Sequence, residues 1–294
     1  MKVVMHTSYL EQRFGIKKAI DMIADAGFDG IDYTDCTEAA ISEFEDYKDR
    51  AKAVRDVAEG RGLKIYQTHG PMVTGMLKKY DLEYVQKRTV RSIETASILG
   101  AEAMVIHPIQ DPAHKLGDES VYKRNMEFFG YFKPFCKKYN VKIAIENMCK
   151  TEPKSGVVHD GVCANPVEFI KYLDDLGSDY ATGCFDTGHC AATGREPHEV
   201  LRILGGKRIT CLHIHDNDYK SDKHCLPYSM NIDWDEFCKA LADIDYKGHF
   251  TMEASNFLPK FPDEFVPVAL KFKCDLVRFM AERTDKYSKE KNTK

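Results

Sequence analysis

The chain has 294 residues, of which 43% are hydrophobic, so it can bury a large core and is about the size of one α/β barrel. Charged residues make up 30% of the sequence, but the formal net charge is only -4. Because no basic field extends over the whole molecule, the composition disfavours tight binding of DNA or RNA. We therefore expect no nucleic-acid partner.

The sequence also disfavours a membrane or secreted protein. It contains no run of eighteen or more apolar residues, and its first residues lack the order of charged, apolar and small residues typical of a signal peptide. The ten cysteines include no CxxC pair, which argues against a zinc ribbon or a thioredoxin-type motif. We expect a reduced, cytoplasmic setting and no membrane partner.

Eight short apolar segments recur along the chain and alternate with helical patterns. Their apolar residues mostly follow one another without alternation, as in strands that are buried on both faces. In chain order the segments are 3–8, 27–34, 64–71, 103–108, 141–148, 182–189, 208–215 and 249–255. Eight strands that alternate with helices predict parallel strands that close into a barrel.

The segments between the strands have the signals of helix ends. IKKAIDMIADAG stops at Gly27, EYVQKRTVRSIETASILG stops at Gly100, and NPVEFIKYLDDLG starts at Asn165, directly before a proline. No linker rich in Pro, Gly or Ser divides the chain, so we predict a single-domain α/β fold, a (β/α)8 TIM barrel, over residues 1–283. The polar residues 284–294 predict a frayed C-terminal tail.

Acidic or imidazole groups stand at the ends of six strands, where a barrel of this class carries its chemistry. They are His69, His107, Glu146, Asp186, His213 and Glu253. The last four come from consecutive strands and form a set of three carboxylates and one imidazole. Such a set suits Mn²⁺, Mg²⁺, Co²⁺ or Zn²⁺, and its richness in carboxylates favours the harder ions. Without a cation, three converging carboxylates would repel one another. Two long segments, 149–164 and 216–232, are predicted as loops that cover this end of the barrel.

Six short motifs stand in the second half of the chain, between residues 146 and 255. They are ENM at 146–148, DTGH at 186–189, HIHD at 213–216, DKHCLP at 222–227, IDW at 232–234 and MEAS at 252–255. With these motifs the chain resembles the sugar phosphate isomerase/epimerase superfamily, whose fold is the xylose-isomerase-like TIM barrel. Within that superfamily it resembles the ketose 3-epimerases, and the superfamily also includes the related endonuclease IV group.

The resemblance implies that one divalent metal ion, with Mn²⁺ expected first, binds to the same four strand-end residues, Glu146, Asp186, His213 and Glu253. His213 is preferred over His215 because the ligand of the family stands three residues before an acid, here Asp216. His215 remains an alternative, since both histidines point to the same side of an extended strand.

The resemblance further implies an isomerase or epimerase that acts on a small sugar, a sugar phosphate or a polyol-derived sugar. In such enzymes a proton is transferred through an enediolate, and Glu146 and Glu253 are expected to carry it on opposite faces of the substrate. Contacts with the substrate are expected from His189, His107, His69, Glu152 and His215. For Glu152, a solvated loop acid before Pro153 is the alternative interpretation.

Two other functions stay open. The endonuclease IV group cleaves abasic DNA with three zinc ions, and the order of its additional ligands is matched by His69, His107, His189, Asp222 and His224. The segment ENMCKTEPKSG lacks the glycine-rich stretch of that group, and the net charge is wrong for tight phosphate binding. A barrel that binds a ligand without turnover is the third hypothesis. Aromatic residues at 126–135 predict a helix face buried on the barrel or a contact in a homo-oligomer.

Overall fold

The strands of the molecule were located in a computed structural model that describes residues 1–36, 40–111 and 115–293. The main sheet contains β1 (Val3–His6), β2 (Gly30–Thr34), β3 (Lys64–His69), β4 (Ala103–Ile106), β5 (Lys142–Glu146), β8 (Ala181–Asp186), β9 (Ile209–His213) and β10 (Phe250–Met252). These eight strands are parallel and follow the order β10-β1-β2-β3-β4-β5-β8-β9. Seven of them lie within predicted apolar segments, and β8 begins one residue before its segment, 182–189.

The two ends of this sheet meet and close it into a barrel. Beyond the last residue of β9, the amide of Ile214 donates to Thr251 O at 2.9 Å, and the amide of Glu253 donates to Ile214 O at 3.1 Å. An isolated parallel bridge also joins Ile214 to Met252. The prediction of a single-domain (β/α)8 TIM barrel is therefore confirmed.

Helices connect the strands on the outside of the barrel. They are α1 (Ser8–Phe14), α2 (Ile16–Ala26), α3 (Tyr47–Gly60), α4 (Val73–Met76), α5 (Leu82–Leu99), α6 (Glu119–Tyr139), α7 (Pro166–Leu176), α8 (Thr187–Ala192), α9 (Pro197–Leu204), α10 (Trp234–Asp243) and α11 (Val266–Asn292). Gly27 and Gly100 end α2 and α5 in the left-handed conformation, with φ of 93° and 85°. Asn165 caps α7 by accepting a 2.9 Å hydrogen bond from the amide of Val167.

A small apolar cluster inside the barrel indicates which residues face the carboxyl-terminal opening. The cluster consists of Ala103, Val105, Ala144, Cys184 and Cys211. Successive side chains of a strand point to opposite faces, so a residue two positions further on points to the same side. Glu146, Asp186 and His213 each follow a member of this cluster by two positions and therefore face inward at the end of their strands.

The predicted loop 149–164 contains a structure that the sequence did not indicate. β6 (Cys149–Thr151) and β7 (Val158–Asp160) pair as an antiparallel hairpin. Each of these strands has three residues, too few to reveal an alternating pattern, and their side chains are half-buried or exposed. The hairpin follows β5 at the carboxyl-terminal end of the barrel, and the thiol of Cys149 belongs to one possible ligand set with His189 and Asp222.

The other predicted segments have defined places. In the segment 216–232, the side chain of Asp216 accepts a 3.0 Å hydrogen bond from Trp234 Nε1. In α6, Phe128, Phe129 and Phe132 are buried, so this aromatic face packs against the barrel. The helix α11 continues to Asn292 and thus into the polar segment 284–294. Among the described residues, no helix has the length and hydropathy needed to cross a membrane.

Candidate active site

Four strand ends bring their polar side chains into one group, which we call the inner group: Glu146, Asp186, His213 and Glu253. These residues end β5, β8 and β9 or directly follow β10, so they come from neighbouring strands. Nδ1 of His213 lies 3.0 Å from Glu146 Oε1 and 3.2 Å from Glu253 Oε2. One possible ligand atom from each of the four residues lies within 4.8 Å of the other three.

Buried oxygen atoms of the inner group lack hydrogen bonds. Oε2 of Glu146 and Oε2 of Glu253 are both buried and accept none. His107 Nε2 lies 2.9 Å from Glu146 Oε2, but this contact does not have hydrogen-bond geometry. An unsatisfied buried carboxylate oxygen costs free energy, which a coordinated cation would offset. Three carboxylates and one imidazole around these oxygens fit a divalent cation.

The imidazoles around the inner group keep Glu146 and Glu253 ionised. Burial by itself raises the pKa of Glu146, but the charges of His213 and His107 outweigh it and hold the pKa well below its usual range. Burial likewise opposes ionisation of Glu253, and His213 and His224 reverse the effect, so its pKa is also lowered. Burial lowers the pKa of His69 to about 4, with His107 acting in the same direction. His69 is therefore a neutral donor or acceptor at neutral pH.

Asp32 at the bottom of the inner group is a residue that the sequence reasoning missed. Its Oδ2 lies 3.2 Å from Nε2 of His213 and accepts a 3.0 Å hydrogen bond from Gln67 Nε2. A carboxylate on the far nitrogen of a metal-binding imidazole fixes its tautomer and its ring orientation. With Nε2 bound to Asp32, Nδ1 of His213 faces Glu146 and Glu253. The available signal was an acid within the buried apolar strand GIDYT.

His6 was also missed, although it ends the first apolar run. Its Nε2 lies 3.1 Å from Thr34 Oγ1, and its Nδ1 lies 3.2 Å from Ser8 Oγ. The ring is buried, with its centroid 6.0 Å from that of His213. Burial lowers the pKa of His6 against the opposing charge of Asp32, so the ring favours the neutral form. His6 thus adds an uncharged polar side chain beside the inner group.

A second set of polar residues, which we call the outer group, lies beside the inner group: His189, His215, Asp222 and His224. Asp186 caps α8 by accepting from the amide of His189, which places the His189 ring next to β5. Nδ1 of His189 donates to Asn147 O at 3.0 Å, so Nε2 is left to face Asp222 Oδ2 at 3.5 Å. His224 Nε2 lies 3.0 Å from the same oxygen.

His213 and His215 occupy different groups. His215 Nε2 lies 3.0 Å from Asp186 Oδ2, and its ring stacks on that of His224 with a centroid distance of 3.9 Å. The hydroxyl of Thr187 donates to His215 O at 2.8 Å and fixes the backbone there. The set that unites all three carboxylates contains His213, whereas His215 shares a set with His224 and Glu253.

The remaining predicted site residues lie at unequal distances from the inner group. His69 Nε2 is 3.8 Å from Glu146 Oε2, and His107 Nε2 is closer, at 2.9 Å. Glu152 is exposed in the β6–β7 hairpin, where it accepts a hydrogen bond from Ser155. It lines a separate cavity of about 1060 Å³ between the hairpin and the segments after β3 and β4. The structure thus brings both histidines, but not Glu152, to Glu146.

A family-level match agrees with the barrel and with the polar groups at its carboxyl-terminal end. The chain belongs to the xylose isomerase-like TIM barrel family, whose model matches residues 20–265. This result confirms the family resemblance derived from the sequence motifs.

Three relatives illustrate the range of similarity. The chain is 26% identical over 278 residues to the uncharacterized protein y4fM of Sinorhizobium fredii, covering 81% of each chain. It is 24% identical over 248 residues to the D-psicose 3-epimerase of Enterocloster bolteae, covering 81% of this chain and 76% of that one. A D-psicose 3-epimerase structure determined in the presence of D-fructose is 18% identical with a TM-score of 0.75, covering 95% of this chain and 99% of that one.

Proposed function

We propose that the protein is a divalent-metal-dependent sugar isomerase or epimerase. The observation that carries this proposal is the inner group, in which four ligand atoms from neighbouring strands lie within 4.8 Å of one another. Two buried carboxylate oxygens of this group accept no hydrogen bond. The similarity to the D-psicose 3-epimerase of Enterocloster bolteae supports sugar chemistry at such a site. The substrate class is a small sugar that can open to a carbonyl form, with or without phosphate.

In this proposal Glu146, Asp186, His213 and Glu253 hold the cation, with Mn²⁺ as the first expectation. A bound divalent cation would act as a Lewis acid that acidifies the carbon-bound proton beside a carbonyl group. Glu146 and Glu253 approach the same nitrogen of His213 from β5 and β10. Two carboxylates that flank one space from different strands can take a proton on one face of a substrate and return it on the other.

The histidines near the inner group are proposed to position the substrate. The Nδ1–H of His189 is bound to Asn147 O, so its Nε2 is the atom available to a sugar hydroxyl. His69 and His107 lie beside Glu146 and His215 lies beside Asp186, where each can contact a substrate oxygen. Glu152 reaches a substrate only if that substrate extends towards the cavity under the hairpin.

The proposal is tested by solvent-proton exchange. The Mn²⁺-loaded protein is incubated with a panel of ketoses in deuterated water, and deuterium at the carbon beside the carbonyl is measured by NMR. Wild-type protein is expected to exchange that proton. Glu253→Gln, which keeps shape and one ligating oxygen, is expected to lose at least about 100-fold in turnover while still binding Mn²⁺. Near wild-type turnover of Glu253→Gln would limit Glu253 to a ligand and direct the search to Glu146.

A second candidate function has its own observation. Oδ2 of Asp222 lies near Nε2 of both His189 and His224. The Cys149 thiol forms a possible ligand set with His189 and Asp222. This outer group would allow a multinuclear zinc hydrolase that acts on abasic DNA. Metal analysis of the purified protein and an incision assay on an abasic-site duplex separate the two functions. One metal ion and no incision are expected, whereas three zinc ions with zinc-dependent incision would reverse the ranking.

A further inference from the structure

Lys273 on α11 is a buried lysine that the proposed mechanism does not use. Its side chain has 0% exposure, and its Nζ donates a 2.9 Å hydrogen bond to Ala254 O. Burial lowers the pKa of Lys273 to about 7, and the charge of Glu253 only partly opposes this effect. Burying an amine between a helix and a barrel costs free energy that an apolar residue of the same length would not cost. Fold stability alone therefore does not explain a lysine here.

The acceptor of this hydrogen bond directly follows Glu253 of the inner group. On the other side of Glu253, its own amide donates to Ile214 O at 3.1 Å. The end of β9 thus holds the peptide group before Glu253, and α11 holds the Ala254–Ser255 peptide group, one peptide beyond the one that follows Glu253. The loop beyond is fastened as well, because Asn256 Nδ2 donates to Lys223 O at 2.7 Å. Through Lys273, α11 binds the carbonyl group of the Ala254–Ser255 peptide.

We propose that Lys273 is a positioning residue: its Nζ holds the Ala254 peptide and thereby sets the orientation of the Glu253 carboxylate towards the inner group. This inference deepens the proposed function, on which it rests. Groups outside the first contacts of a metal commonly change metal affinity about 10–100-fold when they are removed, because they orient the ligands. Lys273 would act in this way through the backbone.

Two neutral variants of similar length test the hydrogen bond separately from the charge. Lys273→Gln can still donate to Ala254 O, whereas Lys273→Met cannot, and both remove the positive charge. We expect Lys273→Met to bind Mn²⁺ about tenfold more weakly than Lys273→Gln in calorimetric titrations of metal-free protein. With a ketose substrate, we expect the difference in turnover to appear mainly in kcat and little in KM.

A matched control separates positioning from packing. Val277→Ala removes a fully buried side chain from the same helix, one turn away, and should lower the melting temperature without changing Mn²⁺ affinity. Lys273→Met should melt no lower than Lys273→Gln. Lys273→Leu is a second apolar variant if Lys273→Met does not fold. Recovery of folded Lys273→Gln but of neither apolar variant would overturn the proposal in favour of a purely structural role.

Failure of this inference is distinguishable from failure of the proposed function. The Mn²⁺ titration does not depend on which sugar is the substrate. Equal Mn²⁺ affinities of Lys273→Met and Lys273→Gln would overturn the role of Lys273 alone. A wild-type protein that binds no Mn²⁺ would contradict the proposed function itself.

Discussion

Asp32 Oδ2 lies 3.2 Å from Nε2 of His213, on the side of the ring opposite to Glu146 and Glu253. The three strands β2, β5 and β9 thus meet at one imidazole inside the barrel. Because Asp32 holds Nε2, the other nitrogen is directed at the carboxylates. In the proposed metal site, Asp32 would therefore set the tautomer through which His213 binds the cation with Nδ1.

Asp32→Asn tests this relationship. The amide can offer either an oxygen or an N–H group to Nε2 of His213, so it no longer fixes the tautomer. We expect Mn²⁺ affinity to fall about 10–100-fold, measured by calorimetry on metal-free protein. Asp35→Asn is the control, because Asp35 is also buried near the end of β2 but faces Arg88. It should affect melting temperature more than Mn²⁺ affinity, and an equal loss of affinity in both variants would contradict the role of Asp32.

The strand pattern of the barrel could be predicted from the sequence, but the hairpin after β5 could not. Strands buried on both faces give mostly continuous apolar runs, so all eight were recognised from these runs and the helical patterns between them. The hairpin strands Cys149–Thr151 and Val158–Asp160 are short and polar, and their pairing depends on tertiary contacts. The sequence therefore predicted the positions of Glu146 and Asp186 at strand ends, but not the hairpin that follows Glu146.

In the candidate site, too, some features could be predicted from the local sequence pattern and others depend on tertiary contacts. Side-chain alternation places both His213 and His215 on the inner side of the strand, so it leaves the choice between them open. The register that pairs Asp186 with His213 is a property of the assembled sheet. Lys273 lies within KFKCDL, a segment that reads as a charged helix surface, and only contact with Ala254 reveals its burial.

His189→Ala is expected to weaken substrate use while leaving Mn²⁺ content near that of the wild type. The reason is that Nδ1 of His189, which lies 3.5 Å from Glu146 Oε1, donates to Asn147 O, and its Nε2 faces Asp222. The measurements are metal content after dialysis and the KM for a ketose substrate. Loss of stoichiometric metal in this variant would move His189 from substrate contact to metal ligation.

Glu11 on α1 should make stability depend on pH. Burial raises the pKa of Glu11 to about 7 from a usual value of 4.5, against opposing hydrogen bonds from Thr7 and Tyr33. Between these two values the folded chain keeps a proton that the unfolded chain has released, so this group lowers stability as the pH rises through that window. The charged form is the costly one, and its cost is fully present above the higher value.

Glu11→Gln removes this titration. The variant should gain melting temperature over the wild type at about pH 8 and much less at about pH 5, where Glu11 is still mostly protonated in the folded state. Glu83→Gln, which changes an acid with 76% side-chain exposure on α5, is the control and should show no such pH-dependent gain. An equal effect of Glu11→Gln at both pH values would contradict the raised pKa.

Gly188 packs so closely against His215 of the outer group that it leaves no room for a side chain. A Cβ at this residue would lie 1.8 Å from Cε1 of His215. That ring also stacks on His224 and contacts Asp186, so it cannot move away without losing these contacts. Overpacking of this kind costs about 1–3 kcal/mol, and we expect Gly188→Ala to lower the free energy of unfolding by that amount in denaturant titrations.

Gly130→Ala provides the matched control for this last prediction. Gly130 is also helical, in α6, and a Cβ there would meet no atom within 4 Å. Without a clash, the substitution should raise the free energy of unfolding by up to about 1 kcal/mol, because alanine favours the helix. The two alanines should therefore have opposite signs. If Gly188→Ala were as stable as the wild type, His215 would have to be free to leave its place between Asp186 and His224.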